Sequence, residues 1–224
     1  MKGCGTINGI STLAEWICHD HGRDLCPEVR EHIDLILNRT RRMHELIEGL
    51  LEYSQLKPIP EKVTSVSVDA LVKRLMDDIN PTEIITVTIE NKLPVIRCEQ
   101  DTVTRIFRHL LDNAIRFMHK PQGQITIGCT EHPDRWEFHV TDNGPGIEEK
   151  YFDKIFRMFQ TLEQWEQSHT TGIGLPLVKK AVEMHGGEIW VESEVGEGTT
   201  FHFTLLKQAE DPRSVSHHFA SQST

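Results

Sequence analysis

The feature that most constrains the fold of this chain is a long heptad pattern near its N-terminus. Residues on a single stripe recur at alternating steps of four and three, at Val29, Ile33, Ile36, Thr40, Met43, Ile47, Leu50 and Ser54. All are apolar except Thr40 and Ser54, and this spacing places them along one side of one α-helix. A single helix cannot bury such a stripe alone, so it needs a second helix or a second copy of the chain.

A second helix is predicted just upstream, over residues 7–20. Its apolar side chains share one face, at Ile7, Ile10, Leu13, Ala14 and Ile17. Residues 1–57 therefore read as a helical hairpin that pairs with its twin in a homodimer, a dimeric four-helix bundle. The other interpretation is a hairpin packed on its own domain. Four further leucines widen the apolar face and favour the dimer, namely Leu35, Leu37, Leu46 and Leu51.

The pattern changes after two prolines, Pro58 and Pro60, which predict a stiff linker over residues 58–64. Residues 65–207 have the mixed periodicity of an α+β domain. We predict strands at 65–68, 84–89, 93–98, 124–130, 135–141, 188–193 and 199–206, and helices at 69–79, 100–118 and 175–185. Asp69 is the expected cap of the first of these helices. The polar residues 208–224 are expected to be a disordered tail.

Bulk properties narrow the class of protein. The net charge of −10 argues against a nucleic-acid-binding surface. The sequence has no run of 18 apolar residues and no signal-peptide pattern, so we expect no membrane segment. Five cysteines without a Cys-x-x-Cys pair predict reduced thiols and a cytoplasmic location. The 13 histidines include no His-x-x-x-His pair with an intervening acid, so no histidine metal cage is inferred.

A glycine-rich hexapeptide, Asp142-Asn143-Gly144-Pro145-Gly146-Ile147, follows a strand in which Trp136, Phe138 and Val140 alternate with polar residues. An Asp at the end of a strand can accept a hydrogen bond from an amino group of a ligand. The glycines allow the backbone to turn and to approach that ligand closely. Taken alone, the same residues also fit an ordinary turn.

A polar edge on the helix predicted at 100–118 is the second candidate site feature. Asn113, Arg116 and Phe117 are spaced i, i+3 and i+4, which puts them on one helix face. An amide oxygen suits Mg²⁺, a guanidinium suits phosphate, and an aromatic ring suits a base or ribose. The other interpretation is an amphipathic helix with a polar border.

Two further stretches complete the set. Thr171-Gly172-Ile173-Gly174-Leu175 precedes a helix, whose free N–H groups and dipole can hold phosphate. It has neither the P-loop spacing nor the strand–GxGxxG–helix order of a dinucleotide fold. Phe156 and Phe159 stand before a polar stretch, residues 163–170, and predict a lid with a hydrophobic base. A turn packed on the core is the alternative for the two phenylalanines.

Together these stretches resemble the catalytic domain of sensor histidine kinases. Residues 109–117 look like its N box, Asp142–Ile147 match its G1 box, 155–160 look like its F box and 171–175 its G2 box. The resemblance implies an α/β sandwich, a mixed sheet with three helices on one face, that binds ATP and Mg²⁺. The implied ATP-binding residues are Asn113, Arg116, Phe117, Asp142, Gly144, Gly146, Ile147, Phe156, Phe159, Thr171, Gly172, Gly174 and Leu175, with Asn113 as the metal ligand and Asp142 at the adenine amino group.

The hairpin resembles the dimerisation and phosphotransfer domain of the same family, most closely over residues 41–54. The first helix departs from the family pattern. Alignment places Met1, Lys2 and Thr6 where the family has its phosphoacceptor His, an acidic residue and a proline. The box is therefore absent or cut off.

Other histidines are the remaining candidates for the phosphoacceptor or another catalytic role. His19 and His21 lie near the end of the first helix, and His109 stands where the family often has Asn. His109 is also a possible polar contact to metal or water. Thr170 replaces a glycine with which the family usually begins its G2 box.

Three functions fit this set of motifs. The first is a histidine protein kinase of a two-component pathway, which transfers phosphate from ATP to a histidine and acts on the receiver domain of a response regulator. The second is a non-catalytic adaptor that dimerises and binds a response regulator, a kinase or a cognate sensor protein. The third is an ATPase or serine kinase with the same pocket, which the heptad hairpin and the two-Phe stretch disfavour.

Overall fold

A computed structural model describes residues 2–21, 25–56, 63–79, 84–161 and 171–207. The predicted disordered tail and the polar stretch 163–170 of the predicted lid lie outside the described residues. The same holds for most of the predicted linker. Within the described part, no helix is long and apolar enough to cross a membrane.

The N-terminal hairpin is formed by α1 (Lys2–His21) and α2 (Pro27–Gln55). Proline at the first position of α2 fits there because that position needs no intrahelical N–H bond. Ala14 and Ile33 are buried in the hairpin. Ser11 Oγ donates to Thr40 Oγ1 over 2.9 Å, which ties the two helices together at the polar position of the stripe. The predicted α1 is confirmed, with an earlier start.

The heptad stripe is only partly covered within one chain. Ile33 and Thr40 are buried, whereas the outer members of the stripe remain exposed, namely Val29, Ile36, Met43 and Leu50. The apolar side chains Ile10, Leu13, Trp16 and Ile17 of α1 are exposed as well. A single hairpin therefore leaves apolar side chains of both helices exposed, and a further surface is needed to bury them.

The second domain is built on a five-stranded mixed sheet. Its strands are β2 (Ile85–Ile89), β4 (Gly123–Glu131), β5 (Arg135–Asp142), β6 (Ile189–Glu194) and β7 (Gly198–Leu206), in the spatial order β2-β4-β5-β7-β6. The β2–β4 pair is parallel and the other pairs are antiparallel. Two short strands, β1 (Thr64–Ser67) and β3 (Val95–Cys98), form a separate antiparallel pair.

Three helices complete the sandwich, α3 (Val68–Ile79), α4 (Gln100–Arg116) and α5 (Gly174–Met184). Alternation along β5 and β7 turns their aromatic residues toward the helices. Phe107 of α4 meets Phe138 and Phe203 edge-on, with ring centroids 5.6 and 5.4 Å apart. The predicted fold class, a helical hairpin followed by a mixed sheet with three helices on one face, is confirmed.

Two local predictions were wrong. Ser67, rather than Asp69, caps α3, because its Oγ accepts the Ala70 N–H over 3.3 Å. Asp69 instead lies in the first turn and pairs with Lys73. Helix α4 ends at Arg116 rather than near Met118, because Met118 N–H turns back to the Ile115 carbonyl.

Candidate functional site

A cavity of about 400 Å³ lies between α2, α4 and the start of α5. Predicted site residues from separate stretches line it together, namely Asn113, Arg116, Phe117, Ile147, Thr171, Gly172, Gly174 and Leu175. Phe117 is the residue that ends α4 rather than part of its helical face, yet it still faces the cavity. The cavity therefore joins the end of α4 to the glycine segment before α5.

The start of α5 supplies hydrogen-bond donors to this cavity. Among the described residues, no side chain caps the helix, and its first turn reads Gly174-Leu175-Pro176. Proline has no N–H, so the backbone N–H groups of Gly174 and Leu175 remain as the donors of that turn. Together with the helix dipole, they suit an anion such as a phosphate group.

Gly172 is required by the local backbone. Its φ is +67°, and a Cβ there would lie 2.6 Å from the Gln160 carbonyl oxygen. The Gly172 carbonyl accepts a hydrogen bond from Phe159 N–H over 3.0 Å. This contact fixes the two-Phe segment against the glycine segment at the mouth of the cavity.

Asp142, the last residue of β5, contacts the loop that precedes the cavity-lining residue Ile147. The residue is 9 % exposed, and Oδ1 accepts the Gly144 N–H over 2.8 Å. Burial raises the pKa of this carboxyl to about 6, while backbone hydrogen bonds from Gly144 and Thr199 act in the opposite direction. A Cβ on Gly144 would sit 3.7 Å from the carbonyl oxygen of Phe117, so the hexapeptide loop abuts the cavity-lining end of α4.

The loop after Asp142 is held by the neighbouring β6–β7 turn. Gly196 N–H donates to the Pro145 carbonyl and Ile147 N–H donates to Ser193 Oγ, each over 2.8 Å. Gly146 has φ of +74°, and a Cβ at this position would collide with the Glu194 backbone carbonyl. Packing against β6 is therefore enough to require glycine here, apart from any ligand.

The other predicted contacts do not line the cavity. Asp142, Gly144 and Gly146 are not among its lining residues, and Phe156 packs edge-on against Phe201 of β7 at 6.4 Å. Phe159 is exposed and has a positive φ of 61°. Contact of the two phenylalanines with a nucleotide stays a prediction, and for Phe156 the structure shows the packed turn that was the alternative.

The candidate histidines are widely distributed. His19 and His21 lie in the last turn of α1, are exposed, and do not line the cavity. His109 is on α4 and does line it, one helical turn before Asn113. Of the three, only His109 lies at the site to which the other predicted residues converge.

Helix α2 forms a wall of the cavity that the sequence analysis missed. Its contributing residues are Glu45, Glu48, Gly49 and Glu52. Glu52 Oε2 lies 3.4 Å from His109 Nε2, and Glu52 Oε1 lies 3.2 Å from Arg105 Nε. The hydrogen bond with His109 lowers the pKa of Glu52, with burial opposing and the nearby cations reinforcing it. On α4, burial raises the pKa of Asp112.

Helix α2 also contacts the second domain through residues other than the cavity-lining Glu45, Glu48 and Glu52. Lys180 of α5 donates to the Tyr53 carbonyl over 2.9 Å and lies over the Tyr53 ring at 3.9 Å. Leu56 is buried in the core of the second domain. A Cβ on Gly49 would come within 3.0 Å of Ile173 Cγ2, so the two surfaces approach closely at the glycine.

Comparison with known proteins places these features in a family. Cyanobacterial phytochrome B of Nostoc sp. is 34 % identical over 204 residues, which cover 89 % of this chain and 27 % of that protein. The circadian input-output histidine kinase CikA of Synechococcus elongatus is 31 % identical over 213 residues, which cover 90 % of this chain and 28 % of that protein. The chain thus spans little more than a quarter of the length of these relatives.

Solved structures share the fold. Full-length ShkA in complex with AMPPNP matches with a TM-score of 0.67 at 20 % identity, covering 94 % of this chain and 45 % of that one. Histidine kinase ThkA, in complex with response regulator protein TrrA, matches with a TM-score of 0.64 at 21 % identity, covering 92 % and 60 %. Residues 98–209 match the model of the histidine kinase-, DNA gyrase B- and HSP90-like ATPase domain. This match, which begins at β3 and includes every segment of the cavity except α2, shows that the chain belongs to that ATPase family and is a relative of the histidine kinases.

Proposed function

We propose that this chain binds ATP with Mg²⁺ and acts as a histidine kinase in a two-component pathway. The observation that carries the proposal is the convergence of Asn113, Arg116 and the free N–H groups at the start of α5 on one cavity. These groups match the needs of a nucleotide phosphate chain: a metal ligand, a guanidinium and backbone donors. The AMPPNP complex of the structurally similar ShkA supports the choice of ligand.

The proposed nucleotide lies with its adenine toward Asp142 and its phosphates toward Gly172 and Gly174. Asp142 is buried and oriented by Gly144, so its carboxyl can accept a hydrogen bond from the adenine amino group. Thr171 and Leu175 flank the phosphate end, while Phe117 and Ile147 border the loop end. Phe156 and Phe159 are proposed to reach the nucleotide only after the segment around them moves.

The cavity also fits the implied metal ion. Asn113 is half-buried and lines the cavity, and its amide oxygen is of the type that Mg²⁺ prefers, whereas no cluster of three or more His, Cys, Asp or Glu side chains among the described residues forms a metal cage. Bound Mg²⁺ would neutralise charge on the phosphates. Asn113 is the residue proposed to hold it.

We further propose that the chain transfers phosphate from ATP to a histidine and then to a receiver domain. The ThkA complex with a response regulator supports this class of partner. Exposed apolar residues on both hairpin helices support a homodimer, since a second hairpin would cover them. Free thiols at Cys18, Cys26, Cys98 and Cys129 support a reducing compartment, the cytoplasm.

A second candidate function is an adaptor that binds nucleotide without labelling itself. It is favoured by one observation, that His19 and His21 do not line the cavity. In this case the hairpin would pair with another copy or with a kinase, and nucleotide would set its conformation. The bound partner would still be a response regulator, a kinase or a cognate sensor protein.

One experiment separates the two. The purified chain is incubated with γ-labelled ATP, and the label is tested for stability in base and loss in acid. Label that disappears in His19→Ala or His21→Ala supports a kinase that phosphorylates itself. Calorimetric binding of AMPPNP without any acid-labile protein label supports the adaptor, and absence of AMPPNP binding overturns both.

A further inference from the structure

We propose that a second cavity in the ATPase domain is a binding site for a small apolar molecule that carries a single carboxylate. The cavity has a volume of about 610 Å³ and lies beside β3, at the ends of β7 and α5. It shares no lining residue with the first cavity, between α2, α4 and α5. The inference therefore goes beyond the proposed function and does not depend on it.

The second cavity lies at the far end of the elements that reach the candidate nucleotide site. Strand β5 begins beside Trp136, which lines the second cavity, and ends at Asp142. Helix α5 begins at Gly174, which lines the first cavity, and ends at Met184, which lines the second. The helix has 11 residues, and at about 1.5 Å per residue it is roughly 16 Å long. A ligand in one cavity therefore leaves the other free.

The second cavity exists because β3 and β7 belong to different sheets. Strand β3 pairs with β1, whereas β7 pairs with β5 and β6 in the main sheet. Residues 95–98 of β3 all line the cavity, although alternate side chains of a strand point to opposite faces. The strand therefore turns its edge toward the cavity, away from β1. Strands on two sides give the site a preformed shape, as is usual for small-molecule pockets.

The floor of the second cavity is apolar. Ile96, Cys98 and Leu205 line it, and each is at most 5 % exposed. Burial raises the pKa of the Cys98 thiol to about 11, so this group is neutral at physiological pH. Trp136 and Met184 add half-buried apolar surface. A hydrocarbon body that leaves water for this floor gains the usual stabilisation of apolar burial.

The Lys, Arg and Glu side chains at the second cavity leave one positive charge uncompensated. Lys207 Nζ lies 2.6 Å from Glu131 Oε1, so these two side chains neutralise each other. The exposed side chain of Arg97 forms no ion pair or hydrogen bond with any other residue that the structure describes. Its guanidinium is the remaining cation, and it matches the geometry of a carboxylate. A multiply charged anion would be repelled by Glu131, so the charge balance favours a monoanion.

The positions of the floor and of Arg97 set the orientation of the ligand. The hydrocarbon end lies inward and covers Val95 and Leu206, which line the mouth and are 65 % and 46 % exposed. The carboxylate remains at the mouth beside Arg97, where water and the guanidinium both contact it. This orientation avoids the cost of burying a charge. The ligand class that fits is a medium-chain fatty acid or an aromatic acid.

Octanoate is the test ligand, and 1-octanol is its uncharged counterpart with the same chain length. In calorimetric titrations of the full chain, octanoate should bind with a dissociation constant between about 10 µM and about 1 mM, the range expected for its size. 1-Octanol should bind about tenfold more weakly, because it lacks the charged contact with Arg97. Saturating AMPPNP should leave the octanoate affinity unchanged, since the two cavities share no residue.

Three variants test the assigned contacts. Arg97→Gln should lower the octanoate affinity about tenfold and leave that of 1-octanol unchanged. Val95→Glu, at an exposed strand position, should weaken octanoate more than 1-octanol, because two carboxylates repel each other. Arg135→Gln is the matched control. Arg135 precedes the lining residue Trp136 but does not itself line the cavity, so both ligands should bind as to the wild type.

Methionine methyl resonances locate the bound ligand. In protein labelled with ¹³C-methyl methionine, octanoate should shift the resonance of Met184, which lines the second cavity. The resonance of Met43 on α2, which lines neither cavity, should stay in place. Met184→Leu identifies the first signal by its loss.

The outcomes separate this inference from the proposed nucleotide site. Absence of octanoate binding, or equal affinity for octanoate and 1-octanol, overturns the carboxylate site. An octanoate affinity that Arg97→Gln does not change also overturns it. Competition by AMPPNP, without a shift of the Met184 resonance, would place octanoate in the first cavity and overturn the second. Failure of AMPPNP alone to bind overturns the nucleotide site and leaves the carboxylate site standing.

Discussion

The carboxyl group of Asp142 is buried at the end of β5, where its local hydrogen bonds only partly offset the loss of water. Its pKa is raised from an ordinary value of 3.8 to about 6. Below about pH 4 the group is protonated in both the folded and the unfolded chain. As pH rises through about 6, it ionises inside the folded protein, and the stabilisation present at low pH is lost.

Replacing Asp142 by Asn should change both the pH dependence of the unfolding free energy and the affinity for ATP, and the two effects can be measured separately. Because the amide cannot ionise, the variant should lack the loss of unfolding free energy, ~3 kcal/mol at most, that the wild type shows between pH 4 and pH 7. ATP affinity at pH 7.5 should fall about ten- to a hundredfold, since a charge-assisted hydrogen bond is lost. Urea unfolding at several pH values and calorimetric titration measure the two effects.

The turn residue Asp134 offers a control for this substitution. Its side chain is 68 % exposed, so Asp134→Asn should leave both the pH slope and the ATP affinity unchanged. Parallel pH slopes for wild type and Asp142→Asn would contradict the buried carboxylate. Unchanged ATP affinity in Asp142→Asn would contradict the adenine contact.

Helix α2 has two faces with different partners. Ile36, Met43 and Leu50 belong to the exposed heptad stripe, whereas Glu45 and Glu52 line the cavity. At about 100° per residue, the two sets point in nearly opposite directions around the helix. Dimerisation through the heptad stripe of α2 would therefore leave the cavity between α2, α4 and α5 uncovered.

A double substitution on the stripe tests the dimer. Ile36→Glu with Met43→Glu should convert the chain to a monomer at tens of micromolar in sedimentation, because two charges from each hairpin would be buried in the dimer. AMPPNP affinity should persist, since neither residue lines the cavity. Arg41→Glu, at an exposed position on the opposite side of α2, should leave the dimer intact. A monomeric wild type would contradict the bundle.

Periodicity explains which elements were predictable. The stripe of α2 and the alternation in β5 report directly which side chains are buried, so the helices and the sheet were predicted within a few residues. The acidic wall from Glu45 to Glu52 was not, because a polar helix face looks the same in sequence whether it meets solvent or a second domain. The Glu residues at steps of three and four were the signal available, and such steps are also ordinary for a solvated face.

Short sequence motifs likewise predicted only part of the candidate site. Gly172 and Gly174 were identified because they precede a predicted helix, and Asn113 because it shares a helix face with Arg116 and Phe117. The resemblance to histidine kinases then implied their roles. The position of Phe156 depends on its contact with Phe201, more than forty residues away, which no local pattern contains. Gly146 was correctly singled out, but packing against Glu194 accounts for it without a ligand.

At the scale of the whole molecule, the hairpin and the ATPase domain meet at Gly49. Gly49→Val should weaken the contact between them, because the added Cβ would lie only 3.0 Å from the Ile173 side chain, which would have to shift. Hydrogen exchange of residues 45–56 should rise, and the contact of Glu52 with His109 should weaken. Gly9→Val is the matched control, since Gly9 is an exposed helix residue of α1 with nothing near its Cβ position. Equal exchange in the two variants would contradict the close approach.

The contact between Glu52 of α2 and His109 of α4 joins the hairpin to the second domain, so it depends on the angle of α2 about its own axis. Side-chain ends lie roughly 5–6 Å from a helix axis, so an axial rotation of α2 by about half of the 100° step between residues would move the Glu52 carboxylate away from His109 by several ångströms. His109 and the glycine segment belong to the other domain and would stay in place. We therefore expect an axial rotation of α2 to separate Glu52 from His109 while the glycine segment keeps its position. The wall that α2 gives the cavity is therefore expected to change with the rotation of the hairpin rather than with an opening or closing of the second domain.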